Sequence, residues 1–442
     1  MALSNKEKPS ERPHFMRRMK ILPWPVILLI VLIFSSVTAG KPKDLEASKW
    51  SSSEITPKKP TKNDRIFALK KKKIAVAITA YFKNALHGNE IAGAGVSIVK
   101  GDSILFSGGF GKRQAKLKNT INAQTVFRLG SLSKGFAGVL ASMFVNDGLL
   151  HWDSKVEDYV DGFQLGSAAN TSKITLANIL SQTSGTPYHS YTNLVEAGLD
   201  LEDIAKRFKN IEPISEPGEI YSYQNAMFAL SGILMEKTAG KSINLSLKER
   251  IFQPLGMKNA STDYKTLMAS NNIAYPHNRT SHGWQTREIN QKYFNAVAAG
   301  GINASAADMA KWMRFLLGHN PEIADNSVLK AVFKPEVEIK GSAHYYQQWP
   351  GYISSHYAHG WRLHEFKEEK TGEVEIMLHH GGAVSSYRNE IAIYPSKDLG
   401  ICVLFNSNTA LAQTVIPELY QLIREILDSP VDLSSNKLLA SI

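Results

Sequence analysis

The chain has 442 residues, 43% of them hydrophobic, and a formal net charge of +11. The positive excess lies within the first 73 residues, because residues 74–442 contain 34 basic and 34 acidic side chains. A nucleic-acid-binding domain concentrates basic side chains on its folded part. The composition therefore excludes a nucleic-acid partner, and the length and apolar content exclude a mostly disordered chain.

The first 40 residues have the order of a secretory signal. A basic stretch at residues 17–20 precedes fourteen uncharged, mostly apolar residues, 21–34, and the small residues Val37 and Ala39 offer a cleavage site. Fourteen residues fall short of the ~20 that span a bilayer. We predict a signal peptide over residues 1–40 and export to the periplasm or cell envelope. An uncleaved N-terminal anchor is the alternative.

Residues 41–73 are rich in Lys, Pro and Ser and predict a basic, solvated linker. Their charge favours contact with anionic lipid head groups, and a spacer without a partner is the alternative. Cys402 is the single cysteine, so an exported product has no internal disulfide. Its apolar surroundings predict a buried structural thiol.

The pattern over residues 74–428 predicts one α+β domain, followed by a loose tail at residues 429–442. An apolar helix is expected from about Ile74 to Leu86 and a last helix from about Leu411 to Leu427. Helical sequence dominates for some two hundred residues after Ser131. Strands are expected at both ends of the domain, at residues 94–99, 103–107, 373–378, 389–394 and 400–405. A sheet built from both ends with a helical region inserted explains this order.

Residues 129–136, LGSLSKGF, contain one of four Ser-x-x-Lys copies in the chain, and only this copy lies between glycines at the head of an apolar helical stripe. Helical spacing places the Ser131 hydroxyl and the Lys134 amine on one face. A lysine in an apolar pocket loses affinity for its proton and can activate a serine. Taken alone, the spacing is also compatible with a serine helix cap and a surface lysine.

Tyr223 and Asn225 form a second candidate element, because this Tyr-x-Asn copy follows a Pro217-Gly218 turn and precedes a helical stripe. A tyrosine beside a lysine ammonium is expected to have a lowered pKa and to relay a proton to a leaving group. An amide two residues on can hold a substrate carbonyl. A buried tyrosine with a satisfied hydroxyl is the alternative.

His379 and His380 follow a predicted strand and precede Gly381 and Gly382. Glycines at a sheet edge permit close approach of a ligand. Adjacent histidines also suggest a metal, but strand neighbours point to opposite faces and no further ligand pair completes a site. We therefore predict no metal and no cofactor.

Three segments in this order resemble the motifs of the serine β-lactamase and penicillin-binding-protein superfamily, in its class C branch. They are residues 127–134 (FRLGSLSK), 217–225 (PGEIYSYQN) and 380–382 (HGG). Residues 180–185 (LSQTSG), 254–257 (PLGM) and 299–302 (AGGI) add to the resemblance, which spans roughly residues 74–428.

The resemblance implies a β-lactamase/transpeptidase-like fold, in which helices flank an antiparallel sheet and an all-helical region is inserted. It implies that Ser131 is acylated, Lys134 is its base and Tyr223 passes a proton to the leaving group. Asn225, His380, Gly381 and Gly382 would bind substrate. The backbone N–H groups of Ser131 and Ala383 would form the oxyanion hole.

The sequence departs from the class C pattern at His380, where the family usually has a lysine that helps to bind a substrate carboxylate. An ordinary histidine is mostly uncharged at neutral pH. Some D-amino-acid-specific peptidases and esterase-like relatives have a histidine in this position. Gln182 also replaces a histidine common in the family, and we expect its role to be structural.

These observations predict an exported serine hydrolase that cleaves an amide or ester through an acyl-enzyme on Ser131. The substrate would be a small molecule or peptide: a β-lactam, a D-amino-acid peptide or an ester. The alternative is a penicillin-binding or sensor module that is acylated slowly or not at all. The sequence leaves the oligomeric state open.

Overall fold

A computed structural model describes residues 61–369 and 371–431 of the chain. The predicted signal at residues 1–40, linker residues 41–60 and tail residues 432–442 lie outside this described part. Within it, no helix has the length and apolar character needed to cross a membrane.

The described part contains strands and helices in the mixed order expected of an α+β domain. The strands are β1 (Gly93–Lys100), β2 (Ser103–Gly111), β3 (Val126–Arg128), β4 (His277–Thr280), β5 (Gly283–Thr286), β6 (Asn303–Ser305), β7 (Val337–Glu338), β8 (Tyr352–Tyr357), β9 (Arg362–Lys367), β10 (Val374–Val384), β11 (Tyr387–Tyr394) and β12 (Leu399–Phe405). The helices are α1 (Lys62–His87), α2 (Ser133–Asn146), α3 (Ala168–Thr171), α4 (Leu176–Leu180), α5 (Thr192–Glu196), α6 (Leu201–Ala205), α7 (Asn225–Ala239), α8 (Ile243–Leu247), α9 (Tyr264–Ala269), α10 (Val297–Gly300), α11 (Ala306–Leu316), α12 (Asn326–Val332) and α13 (Val415–Asp428).

The main sheet is antiparallel, with the strand order β2-β1-β12-β11-β10-β9-β8-β7. Helices α1 and α13 cover one face through an apolar cluster that includes Phe82, Val403 and Leu419. The other face joins the core of the helical region, where α2, α7 and α11 pack. The predicted fold, a sheet from both chain ends with inserted helices, is confirmed. Strands β7 to β9 were not predicted, because their mixed polar sequence lacks a clear alternation.

Helix α1 begins at Lys62, twelve residues before the predicted start. Thr61 and Asp64 form a reciprocal capping box, which satisfies N–H groups at the start of the helix. Leu69 is buried in the second turn. Residues 62–73 are therefore the first half of a packed helix and not part of a linker; lysine is a good helix former, so a Lys-rich composition does not exclude a helix.

Helix α2 is the central helix of the helical region. The predicted stripe of Phe136, Val139, Leu140, Met143 and Phe144 is buried, but so is every other residue from Ser133 to Phe144. The sequence predicted burial on one side only. Because α2 is surrounded, the side chains at its N-terminus are held without access to bulk water, which matters for Lys134.

Cys402 is a free, fully buried thiol on β12, as the sequence predicted. Burial raises the pKa of this thiol, so it stays protonated.

Candidate active site

Ser131 lies in a short 3-10 turn, Gly130–Leu132, between β3 and α2. Gly130 has a φ of +56°, and a Cβ at this position would lie 2.8 Å from the carbonyl carbon of Ala383. Only glycine fits this backbone conformation and this close approach. The turn therefore lies close to β10, the strand that contains residues 380–382 of the third motif.

Asn389 on β11 fixes the segment that leads to Ser131. Its Nδ2 donates to the carbonyl oxygens of Arg128 (2.9 Å) and Leu129 (3.0 Å). The side chain is fully buried, so these bonds hold β3 to the main sheet in a dry environment. Asn389 was not predicted as a site residue, because no motif lies near it in the chain.

Lys134 lies fully buried beside Ser131, its Nζ 3.3 Å from the Ser131 Oγ. The Nζ also donates to Asn225 Oδ1 and to the Ala299 carbonyl oxygen, both over 2.7 Å. Burial, and secondly the charge of Arg362, hold the pKa of Lys134 well below its usual range. A neutral amine has two hydrogens for these two acceptors and one lone pair for the Ser131 hydroxyl proton. The predicted pairing of amine and hydroxyl is present.

Tyr223 completes the contacts of the Ser131 hydroxyl. Its hydroxyl donates to Ser131 Oγ over 2.9 Å. Burial raises the pKa of Tyr223, and the opposing charge of Arg362 does not offset it. The predicted lowering of the pKa is therefore wrong, because desolvation of the phenolate outweighs the nearby positive charge. Tyr223 stays a phenol, which is the form that can give a proton to a leaving group.

Asn225 opens α7, and its side chain is already bound within the protein. Its Oδ1 accepts from Lys134, and its Nδ2 donates to the Tyr293 hydroxyl over 3.1 Å. Contact with a substrate amide stays a prediction. The observed role is to hold Lys134 with an uncharged acceptor, and the Ala299 carbonyl shares this role.

His379 and His380 point to opposite faces of β10, as strand neighbours should. His379 contacts His364 (3.0 Å) and Glu390 (2.8 Å). His380 faces the site, where its Nδ1 lies 2.7 Å from the Gly381 carbonyl oxygen and its Nε2 lies 3.1 Å from the Tyr357 hydroxyl. Burial, and secondly the charge of Arg362, hold the pKa of His380 well below its usual range. His380 is thus a neutral imidazole that donates to Gly381 and accepts from Tyr357.

Gly381 and Gly382 are required by the protein's own packing. A Cβ at Gly382 would lie 2.3 Å from the Leu129 carbonyl oxygen, and one at Gly381 would lie 2.7 Å from the Tyr345 hydroxyl. Strand β9 pairs with β10 only as far as His379, so one edge of β10 continues past the end of its partner. Substrate contact with this edge, and the oxyanion hole of Ser131 and Ala383, stay predictions.

Gln182 has the structural role that the sequence predicted. Its Oε1 accepts from the backbone N–H of Gln224 over 2.6 Å, and its carbonyl accepts from Ser222. These bonds fix the segment on both sides of Tyr223. Gln182 itself has a φ of +63°, which holds it in a left-handed turn.

The Beta-lactamase family model matches residues 78–422. The chain belongs to this family. The expected family is confirmed, and it is one of serine hydrolases and penicillin-binding proteins.

Two relatives and one solved structure are similar to this chain. It is 26% identical over 367 residues to the unguisins hydrolase ungD' of Aspergillus campestris, covering 80% of this chain and 65% of the relative. It is 23% identical over 348 residues to the protein flp of Staphylococcus aureus strain MW2, covering 77% and 65%. The chain thus spans just under two thirds of these relatives' length. The octameric penicillin-binding protein homologue of Pyrococcus abyssi shares the fold, with a TM-score of 0.64, 21% identity and coverage of 82% and 78%.

Proposed function

We propose that this protein is a serine hydrolase that cleaves an amide or ester through an acyl-enzyme on Ser131. The observation that carries the proposal is the position of Ser131 Oγ between Lys134 Nζ, at 3.3 Å, and the Tyr223 hydroxyl, at 2.9 Å. Lys134 can accept the proton of the Ser131 hydroxyl, and Tyr223 can donate a proton to the leaving group. Both proton transfers of the acylation step therefore have a partner.

The steps follow from these two contacts. As Ser131 Oγ attacks the substrate carbonyl, its proton passes to the neutral amine of Lys134. The negative charge on the carbonyl oxygen develops beside the N–H groups of Ser131 and Ala383; losing one such donor typically costs ~10²–10³ in rate. The Tyr223 phenol then protonates the leaving group as the bond breaks. In the hydrolysis of the resulting ester, the hydroxide part of a water molecule adds to the acyl carbon and its proton passes to the Tyr223 phenolate. Lys134 returns its proton to Ser131 Oγ as the acyl group leaves, which restores all three side chains.

Among the candidate substrates, we favour a peptide or ester over a β-lactam. The neutral His380 lacks the charge that the family's usual lysine supplies in the third motif. One relative is named as a hydrolase of unguisins, which is compatible with a hydrolase activity. We also propose export through the N-terminal segment, which rests on the order of residues 1–40 alone. Secretion of a reporter fused behind residues 1–40, and its loss when a charged residue interrupts residues 21–34, tests this point.

The activity test compares wild type with Ser131→Ala. The purified protein is treated with a fluorescent penicillin, and a covalent adduct is expected on wild type only. Turnover of a short acyl ester, an acyl-D-alanyl-D-alanine peptide and a chromogenic cephalosporin then ranks the activities, and we expect the cephalosporin last. An adduct without turnover of any substrate assigns the protein to the penicillin-binding or sensor class. No adduct and no turnover refutes the hydrolase.

A further inference from the structure

Tyr293 lies close to the contacts of Lys134, although no motif predicted it. It occupies the segment between β5 and α10, is buried, and has a φ of +67°. A bulky side chain rarely adopts this left-handed conformation, which persists only where the surroundings hold it and is typical of functional sites. The buried Arg128 donates to the carbonyl oxygens of Asn290, over 2.9 Å, and of Lys292. The backbone that leads to residue 293 is therefore fixed.

The Tyr293 hydroxyl has one neighbour on each side. Asn225 Nδ2 donates to it over 3.1 Å, and Oε1 of Glu196, the last residue of α5, lies 3.5 Å away. Burial, and secondly the charge of Glu196, raise the pKa of Tyr293, so the hydroxyl keeps its hydrogen. A carboxylate can only accept a hydrogen bond, so this hydrogen points to Glu196. The lone pairs of the hydroxyl oxygen are then left for Asn225.

This direction decides which end of the Asn225 amide faces Lys134. With Nδ2 directed at Tyr293, Oδ1 accepts from Lys134 Nζ over 2.7 Å. A second acceptor for Nδ2, the Nδ1 of His189, is farther away at 3.5 Å. A reversed amide would place N–H groups against the N–H groups of Lys134 and would remove one of its two acceptors.

The ring of Tyr293 supports the other acceptor of Lys134, the carbonyl oxygen of Ala299. Gly300 and Gly301 follow Ala299 directly, and both leave room for Tyr293 because they lack a Cβ. A Cβ at Gly300 would lie 2.8 Å from a ring carbon of Tyr293, and one at Gly301 would lie 2.6 Å from its carbonyl oxygen. The same residue therefore packs beside both acceptors of the amine.

We propose that Tyr293 is a positioning residue for Lys134, the base of the proposed mechanism. It fixes the side-chain amide of Asn225 so that Lys134 keeps both acceptors and directs its lone pair at Ser131 Oγ, 3.3 Å away. The carboxylate of Glu196 sets the direction of the hydrogen bonds that run through Tyr293 to Asn225. This inference rests on the proposed function and adds a residue to the same site.

The first measurement follows the Asn225 amide itself and needs no reaction. NMR is recorded on the full chain with heavy nitrogen in its asparagine side chains, and the Asn225 signal is assigned by its absence in Asn225→Ala. We expect the Nδ2 hydrogens to exchange with deuterated water about 10-fold or more faster in Tyr293→Phe, which keeps the ring and loses the hydrogen bond. Glu196→Gln should raise the exchange rate about 3-fold, and it tests the same chain of contacts if Tyr293→Phe does not fold.

Tyr264→Phe is the matched control. It removes a hydroxyl that lies 3.4 Å from the Ile289 carbonyl oxygen, beside the same segment of chain, and it should leave the exchange of Asn225 unchanged. Thermal unfolding checks that each variant is folded.

The second measurement is the single-turnover rate of acylation by a nitrophenyl ester. We expect Tyr293→Phe to lower the maximal rate about 10-fold and to change the half-saturating ester concentration less than about 2-fold. In the Asn225→Ala background the same substitution should cost less than about 2-fold, because the side chain through which Tyr293 acts is gone. A general loosening of the fold would instead lower the rate in both backgrounds.

Unchanged exchange or an unchanged acylation rate in Tyr293→Phe, an equal loss of rate in the two backgrounds, or the same changes in Tyr264→Phe overturns the inference. Failure of the proposed function is distinct. It appears as the absence of Ser131-dependent ester cleavage by wild type, and the exchange experiment then decides by itself whether Tyr293 holds the Asn225 amide.

Discussion

Lys134 Nζ donates a hydrogen bond of 2.7 Å to Oδ1 of Asn225. The acceptor is an uncharged amide, so it orients the amine and favours its protonated form only weakly. A carboxylate in the same place would favour the ammonium strongly, because it adds a full negative charge. The identity of residue 225 therefore helps to decide whether Lys134 can act as a base.

Asn225→Asp should inactivate the enzyme at neutral pH. The rate of acylation falls as the pH drops through the pKa of Lys134, which lies well below its usual range in wild type. An aspartate raises that pKa, so the acidic limb moves to higher pH and kcat/KM at pH 7 falls by about 10²-fold or more. The measurement is the pH profile of ester cleavage. Asn225→Ala removes the acceptor without adding charge and should not move the limb upward; an unmoved limb in Asn225→Asp contradicts the argument.

Tyr223→Phe should affect amides more than activated esters. In the proposed mechanism the Tyr223 phenol protonates the leaving group, and an amine needs that proton whereas a nitrophenolate does not. We expect kcat/KM to fall by about 10²–10³-fold for a peptide and by about 10-fold or less for a nitrophenyl ester. Equal losses for the two substrates would indicate that Tyr223 only positions Ser131.

His380 should not control the pH profile between pH 6 and 7.5. Its pKa is lowered by burial, so the imidazole is neutral through this range and no protonated form is lost as the pH rises. We expect wild-type activity on a peptide to hold or increase over this interval, because rising pH favours the neutral, basic form of Lys134. His380→Gln should change the magnitude of the rate and leave the shape of the profile. A wild-type rate that collapses between pH 6 and 7 would show that protonated His380 acts as the cation.

The parts of the site that could be predicted are those with a local signature. Ser131 and Lys134 share a helix start, and Tyr223 follows a turn, so chain neighbours mark each of them. Asn389, Tyr357 and Arg362 reach the site from separate strands, and no neighbouring residue reveals that convergence. The pKa direction of Tyr223 was mispredicted for a related reason, since it depends on complete burial by distant segments.

The fold was predictable to a similar extent. Short apolar runs rich in β-branched residues predicted the hairpin of β1 and β2, the first part of β10, and the strands β11 and β12. The start of α1 was missed because residues 62–73 look solvated by composition. Their helical state depends on the Thr61 cap and on the apolar cluster that Phe67 of α1 shares with Leu419 and Ile423 of α13. Long-range packing is not visible in a local pattern.

Glu390 should make stability depend on pH. Burial raises the pKa of this carboxyl to about 7, above the ordinary value of 4.5. The folded protein then holds the proton more tightly than the unfolded chain, so this contribution to the free energy of unfolding is complete below about pH 4.5 and is lost as the pH rises through 7. Its size is about 3 kcal/mol across that window.

The variant Glu390→Gln, compared with wild type by urea unfolding from pH 4.5 to 8, isolates this contribution. The difference between the two curves should change across the window, whereas Glu425→Gln, on the exposed surface of α13, should give a constant difference. Parallel curves for wild type and Glu390→Gln would mean that Glu390 does not titrate as described.

The most direct test of the central claim, that Lys134 activates Ser131 for acylation, is mass spectrometry of the protein after reaction with a penicillin and with an activated ester. We predict one acyl group per chain, located on the peptide that contains Ser131, with a rate of formation at neutral pH about 10³-fold lower in Lys134→Met. An adduct on any other residue, or Lys134→Met acylated as fast as wild type, would contradict the claim.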